Sequence, residues 1–295
     1  MKADFGPFPW LLILPLFCGI VYAEPISYSE AVLSDNPVAY WRFNETDTAG
    51  GLVDHADDPA TQAGSQNGNF TGEPIFGEPG ALLSDDDPAV RWNPNDDSGQ
   101  DYATVTGLPI SDSFTVELWG KSATEKWNVF GWLASAREAN GFIVHPDEDR
   151  YGNTGTSWDG YVHDSSGNHH SIAEHEFSTS DLDIQDWHHY VITFDDASDT
   201  GRMYLDGRMV GEDTSMTFSR DATGTINLLL GRDKNNGRYG DGWLDEVAVY
   251  LEPLTETQIQ THYQASLPEP TSSLLLVLGW LLLCLQSRRG AGRHR

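Results

Sequence analysis

The sequence predicts an all-β domain, an antiparallel sandwich or barrel, on three observations. Many short segments alternate apolar and polar residues or are rich in aromatics, as in residues 114–120 (FTVELWG) and 187–194 (WHHYVITF). Turn signals separate them, and Asp206-Gly207 between two such segments predicts a type I′ hairpin. Helical patterning is confined to two short pieces, and no internal repeat at a period of roughly 20 to 50 residues is evident, which disfavours a propeller or solenoid.

In chain order, Ser27 and Glu30 form a capping box that starts a short helix, and Asn36-Pro37 stops it. Residues 38–43 (VAYWRF) are the first strand, and 44–69 a long polar loop with one short strand at 52–55. Residues 70–76 are weakly strand-like, and 89–92 and 102–106 are short strands around the acidic loop NPNDDSGQD. Next come 114–120, then the pair 129–136 and 141–145, then the weaker 160–163 and 171–174. Segments 187–194, 202–205, 208–210 and 225–230 follow, and a polar, glycine-rich loop leads to the strand 242–250. Thr255 and Gln258 form a second capping box, which begins a helix with Ile259 and Tyr263 on one face. In the strand 242–250 a period of two puts Asp245 with Val247 and Val249, and Leu244, Glu246, Ala248 and Tyr250 opposite. Either face then carries a carboxylate among apolar neighbours, and a buried, unpaired charge costs several kcal/mol or more. A bound metal or an arginine such as Arg42 would answer Asp245.

Both ends read as sorting segments. Residues 10–21 are mostly apolar and Val21-Tyr22-Ala23 is a small-residue cleavage site, so 1–23 reads as a secretory signal peptide. At the other end Pro268-Glu269-Pro270 precedes an apolar run, 274–285, and a tail with Arg288, Arg289, Arg293 and Arg295. The run is shorter than the roughly 20 residues of an ordinary membrane span, and the basic tail suits a cytoplasmic end. Between the segments, residues 24–270 hold twelve Lys and Arg against 44 Asp and Glu, a formal charge of −32. Such a field repels nucleic acid and anionic membrane surfaces and favours divalent cations or basic partners. Cys18 and Cys284 both lie in the sorting segments, so the domain is held by its core without disulfides.

The pieces YSEAVLSDNPVAYWRFNET, FTVELWGKS, DWHHYVITFD, RMYLDGRMVG and GWLDEVAVYLEPLTETQIQTHY occur in order at plausible spacings. Together they resemble the laminin-G-like, concanavalin A-like jelly-roll domains of bacterial surface proteins. The resemblance implies, for residues 24–266, two antiparallel sheets packed face to face with a short C-terminal helix. It implies binding of glycans, proteins or calcium at loops or on the concave sheet. Pro268, Glu269 and Pro270, the apolar run and the arginine-rich end resemble the PEP-CTERM sorting signal. That implies export to the envelope of a Gram-negative-type bacterium, transient membrane insertion of 267–295, and processing by an exosortase-type peptidase.

The residues argue against an enzyme. Glucanase relatives of this fold carry E-x-D-x-E or E-x-D-x-x-E, whose alternate carboxylates face one cleft. Neither pattern is present, Glu117 stands alone in its strand, and no G-x-S-x-G elbow occurs. The histidines of GNHHSIAEHE offer a weaker case for zinc, which needs three or four converging ligands. Calcium wants about six to eight oxygens, and the EF-hand pattern beginning at Asp233 fails because Gly237, Arg238 and Leu244 stand at key positions. Asp245 is the best calcium candidate, from its awkward face and the acidic pair the resemblance implies there, with Asn44 and Glu45 after the first strand as partners. For a sugar ligand, aromatic rings beside Asp or Asn are the candidates: Tyr151, Trp158, Asp159, Tyr161, Tyr239 and Trp243. The expectation is a non-enzymatic extracellular or envelope-anchored binding module, calcium-stabilised, for an extracellular polysaccharide. The alternatives are an adhesive protein that binds protein partners and, remotely, an unrecognised glycosidase.

Overall fold

A computed structural model describes residues 26–56, 65–92, 100–123, 134–148, 155–178, 183–221, 224–233 and 239–268. Helix α1 (Tyr28–Ser34) starts at the Ser27–Glu30 capping box and leads into β1 (Ala39–Trp41). Then follow β2 (Asn69–Thr71), β3 (Ile75–Pro79), β4 (Pro88–Trp92), β5 (Tyr102–Pro109) and β6 (Phe114–Ser122). Next come β7 (Ala134–Ser135), β8 (Phe142–Glu148), β9 (Gly155–His163), β10 (His169–Ser178) and β11 (His188–Asp195). The chain closes with β12 (Thr200–Leu205), β13 (Arg208–Asp213), β14 (Thr225–Leu230), β15 (Gly242–Tyr250) and α2 (Glu256–Ala265).

The strands form two antiparallel sheets, as the composition of short strands and turns requires. The first runs β13-β12-β11-β6-β15-β4-β3, with β1 also on β15; the second runs β10-β9-β8-β7-β14-β5-β2. Asp206 and Gly207 have φ of 50° and 72°, and Leu205 faces Arg208 across the turn, so the hairpin is the one its dipeptide predicts. The single weak segment 70–76 is instead two strands, β2 and β3, which lie in different sheets. Strands β9 and β10 are longer than expected and pair along nine registered positions. The long loop after β1 is organised by Asp54, whose carboxylate accepts the backbone N–H groups of Tyr40, Ala56 and Gln66.

Two large apolar clusters, and a small third one of Ile143 with Tyr161, follow from the alternation of side chains. The inner faces of both sheets bury Trp41, Trp92, Leu118, Phe142, Trp158, Val162, Tyr190, Ile192, Leu228, Val247 and Val249 between them. A second cluster lies on the outer face of the first sheet, where α1 and α2 cover it: Tyr28, Val32, Tyr40, Trp119, Val191, Tyr204, Tyr250 and Ile259. Trp158, a candidate for sugar binding in the sequence, lies in the inner core with no exposed surface, edge-on to Tyr190. Its neighbours along β9 explain this: Trp158 and Val162 point inward, so Asp159 and Tyr161 point outward. Trp158→Ala should therefore cost about 3–5 kcal/mol of stability through the cavity it leaves. Urea unfolding checks this, and a loss below 1 kcal/mol, expected for an exposed ring, would contradict the placement.

Candidate functional site

Strand β15 changes neighbour halfway along. Gly242 to Leu244 pair with β4, and Val247 to Val249 pair with β1. At the junction the register against β6 slips between Asp245 and Ala248, and Glu246 takes φ 50°. This bulge breaks the period of two. Leu244, Val247 and Val249 face the inner core, while Asp245 lies opposite Trp119, and Glu246 reaches Tyr40, both in the outer cluster. The expected placement of Asp245 with the valines is thus corrected: both carboxylates emerge together on the outer face.

Glu246 is fully buried. Arg42 Nε and Nη2 donate to its Oε1, both at 3.2 Å, and Tyr40 Oη–H donates to Oε2. Arg42 also pairs with Asp87 at 2.7 Å and Asp85 at 3.6 Å. Asp245 Oδ2 accepts the Ala81 N–H at 2.9 Å, whereas Oδ1 is buried with no hydrogen-bond partner. Residue 80 must be glycine for the loop to come this close, because a Cβ there would lie 2.0 Å from the Asp87 carbonyl oxygen and 3.0 Å from Asp245 Oδ2. Asp87, Asp245 and Glu246 each place a carboxylate oxygen within 4.8 Å of the others. Two oxygens about 2.4 Å from one calcium ion lie at most about 4.8 Å apart, so the trio fits a shared cation. Burial pushes Asp245 well above the carboxylate range, and the Glu246 charge pushes it further. Burial also raises Glu246, to about 8, although Arg42 and Tyr40 pull it down. One arginine thus faces the two buried carboxyl groups together with Asp85 and Asp87, so the cluster holds more acidic than basic groups.

The acidic groups that converge on Asp245 are Asp87 and Glu246 rather than the expected partners Asn44 and Glu45. Glu45 borders the centre: its Oε1 accepts the Val53 N–H, its Oε2 is buried without a partner, and the Asp87 charge acts on it. Asn44 is half-buried beside it. Among the described residues no other group of three His, Cys, Asp or Glu converges this closely. His170 instead bonds Asp164 and stacks on Phe218, and the His175 side chain lies outside the described residues.

The outer face of the second sheet carries a different set. Asp159 on β9 accepts the Tyr161 hydroxyl at 2.9 Å, and Ile143 on β8 packs beside Tyr161. Ser135 on β7 donates to Asp233 at 3.5 Å, and Arg137 pairs with Asp233 at 3.6 Å. Beyond Asp233, the Arg232 guanidinium lies 4.7 Å from the Tyr102 ring and 4.9 Å from Tyr239, both half-exposed. Of the expected sugar-binding residues, Asp159, Tyr161 and Tyr239 share this sheet. Trp158 belongs to the core, and Tyr151 lies outside the described residues. Trp243 is on the first sheet, flanked by Arg91 and Lys121 and bonded to Glu78. Sequence reasoning missed Asp87, Tyr102, Arg232 and Ser135: Asp87 reaches β15 on the first sheet, and Tyr102 and Ser135 reach Arg232 and Asp233 only once the strands of the second sheet are paired.

A family model described as the concanavalin A-like lectin/glucanases superfamily, laminin G type, matches residues 97–260, more than half of the chain. The chain belongs to this superfamily. No curated protein sequence matches it. Among solved structures, this superfamily member is similar to domain 4 of AbnA, a GH43 extracellular arabinanase from Geobacillus stearothermophilus, in complex with arabinotriose. The identity is 18%, the TM-score 0.51, and 78% of this chain and 98% of that one are covered. It is also similar to the binding domain of Paraclostridial Mosquitocidal Protein 1, at 15% identity and TM-score 0.55, covering 78% of this chain and 52% of that chain. A botulinum neurotoxin type C structure, whose cell entry depends on interaction with two ganglioside molecules, matches at 10% identity and TM-score 0.54, covering 79% and 52%. The chain spans about half the length of these last two. At such identities the likeness establishes the concanavalin A-like fold.

The acidic centre of this superfamily member yields a stability prediction. In EDTA, Asp245→Asn should be more stable than the wild-type domain by about 1–3 kcal/mol at neutral pH, because burial keeps the Asp245 carboxyl protonated while the unfolded chain ionises it, a cost the amide does not carry. Denaturant unfolding at neutral pH measures this. A variant less stable than wild type in EDTA would show that Asp245 is ionised and its charge already compensated within the protein.

Proposed function

We propose that this chain is a non-enzymatic, extracellular or envelope-anchored binding module whose ligand is an extracellular polysaccharide. The observation that carries the reading is the difference between the two outer faces. Helices α1 and α2 seal the first sheet over an apolar cluster. No helix among the described residues covers the second sheet; Ser135, Asp159 and Tyr161 on it are buried, and the groups beside them that are half-exposed are Tyr102, Arg232 and Tyr239. Half-exposed rings beside carboxylates and a guanidinium suit a sugar: the ring takes a C–H face and the polar groups take hydroxyls. The arabinotriose complex of one similarly folded domain, and the dependence of a similarly folded neurotoxin's cell entry on gangliosides, support the same reading. Calcium held by Asp87, Asp245 and Glu246 serves structure, since it lies on the sealed face. Export depends on the segment 1–23 and on Pro268, Glu269 and Pro270, read by an exosortase-type peptidase. No described helix is long and apolar enough to cross a membrane, and the run 274–285 lies outside the described residues.

Affinity electrophoresis against a panel of neutral and acidic polysaccharides, arabinan among them, tests the ligand. The wild-type domain should be retarded by at least one of them, and Tyr239→Ala or Tyr102→Ala should weaken that binding at least tenfold, about 1.4 kcal/mol, without lowering the melting temperature. Retardation unchanged in both variants would place the ligand elsewhere. An empty polysaccharide panel with binding to matrix proteins would favour the adhesive reading instead. For the cation, EDTA should lower the wild-type melting temperature by several degrees and excess calcium restore it. Identical melts under both conditions would remove calcium from the account.

A further inference from the structure

The outer face of the first sheet holds a second buried carboxylate system that the binding reading does not use. Glu117 on β6 has no exposed surface. Its Oε2 lies 3.0 Å from His262 Nδ1 and 3.6 Å from His189 Nε2, and its Oε1 accepts the Tyr250 hydroxyl at 2.8 Å. The other nitrogen of His262, Nε2, lies 2.9 Å from Asp35 Oδ2 at the C-terminal end of α1. Asp35 also accepts the Gln258 amide from α2. One imidazole on α2 therefore joins the sheet to α1.

Both ring nitrogens face carboxylate oxygens. A neutral imidazole has a single N–H, so one of those contacts would set lone pair against lone pair; only the imidazolium donates to both. The geometry points to a proton-operated latch: protonated His262 holds α1 and α2 on the first sheet, and loss of that proton frees the helical cap while the two-sheet sandwich stays folded. The cap can come away alone because its apolar cluster is separate from the core between the sheets. It also lies nearest the ends of the described chain, since α1 begins at Tyr28 and α2 ends at Ala265. The latch thus couples pH to the segments that flank the domain.

The groups around His262 come from every packed element. They are Tyr28 and Asp35 from α1, Glu117 from β6, His189 from β11 and Tyr250 from β15, with Gln258 on its own helix. Burial pulls His262 down, but the charge of Glu117, its hydrogen bond and Asp35 outweigh it and raise the imidazole from 6.5 to about 9. Burial raises Glu117, but the His262 charge and the histidine bonds hold it far below the ordinary range. Tyr28 and Tyr250 are pushed well up, chiefly by burial, and stay neutral throughout. The raised histidine stabilises the cap fully below 6.5 and loses that contribution as pH rises through about 9. The lowered glutamate stabilises above 4.5 and loses its contribution as pH falls.

Hydrogen exchange of the full chain between pH 6 and pH 10, corrected for intrinsic rates, tests the latch. Protection of peptides covering α1 and α2 should fall at least tenfold between pH 7 and pH 9.5, while β11 and β15 keep theirs. His262→Gln should show the lower cap protection at every pH, with a flat profile. A flat wild-type profile, or loss of cap protection only together with the sheet, overturns the latch. Should the variant not fold, nitrogen-15 NMR of wild-type His262 decides: both nitrogens protonated at pH 7 supports the latch, and a neutral tautomer overturns it.

Discussion

Three carboxylates buried on one face of one sheet, Glu117, Asp245 and Glu246, set the terms for the rest of the molecule. A charge without water or a counter-ion costs more than any single packing contact returns, so each must be answered locally. Glu117 is answered by histidines and a tyrosine, and through His262 it ties down both helices. Glu246 is answered by Arg42 and Tyr40 from the first strand and the residue after it. Asp245 has one backbone N–H and an oxygen with nothing bonded to it. The helical cap, the loop through Gly80 to Asp87 and the path of the chain after β1 are all arranged around these three groups.

That arrangement divides the two sheets by role. The first sheet spends its outer face on internal chemistry and is closed by the cap. The second has no helix over it among the described residues and leaves Tyr102, Arg232 and Tyr239 half-exposed, the groups on which the proposed glycan site rests. Membership of the concanavalin A-like superfamily fixes the frame. The site residues on each face belong to this chain's own sequence and are argued from their contacts.

Much of the frame was legible in the sequence because its signals are local. The Ser27 and Thr255 capping boxes, the Asp206-Gly207 hairpin and the alternating strands β6 and β11 depend on residues within a few positions of one another. The site was only partly legible. Asp245 stood out as a carboxylate in an apolar strand, but its face was misassigned because the bulge at Glu246 has no signature such as glycine. Asp87 looked like one of several aspartates in a surface loop, and nothing local announces that the loop folds against β15. Trp158 reads as a sugar-binding ring because Asp159 stands beside it, whereas β9 continues through it and the period of two sends the ring inward.

The measurement that tests the account most directly is the anomalous difference map of a crystal grown with calcium. The account predicts a peak about 2.3–2.6 Å from oxygens of Asp87, Asp245 and Glu246, with Arg42 at its edge. A featureless map, with the Arg42 guanidinium turned to cover Asp245 Oδ1, would contradict it: the buried charge would then be balanced by the protein alone.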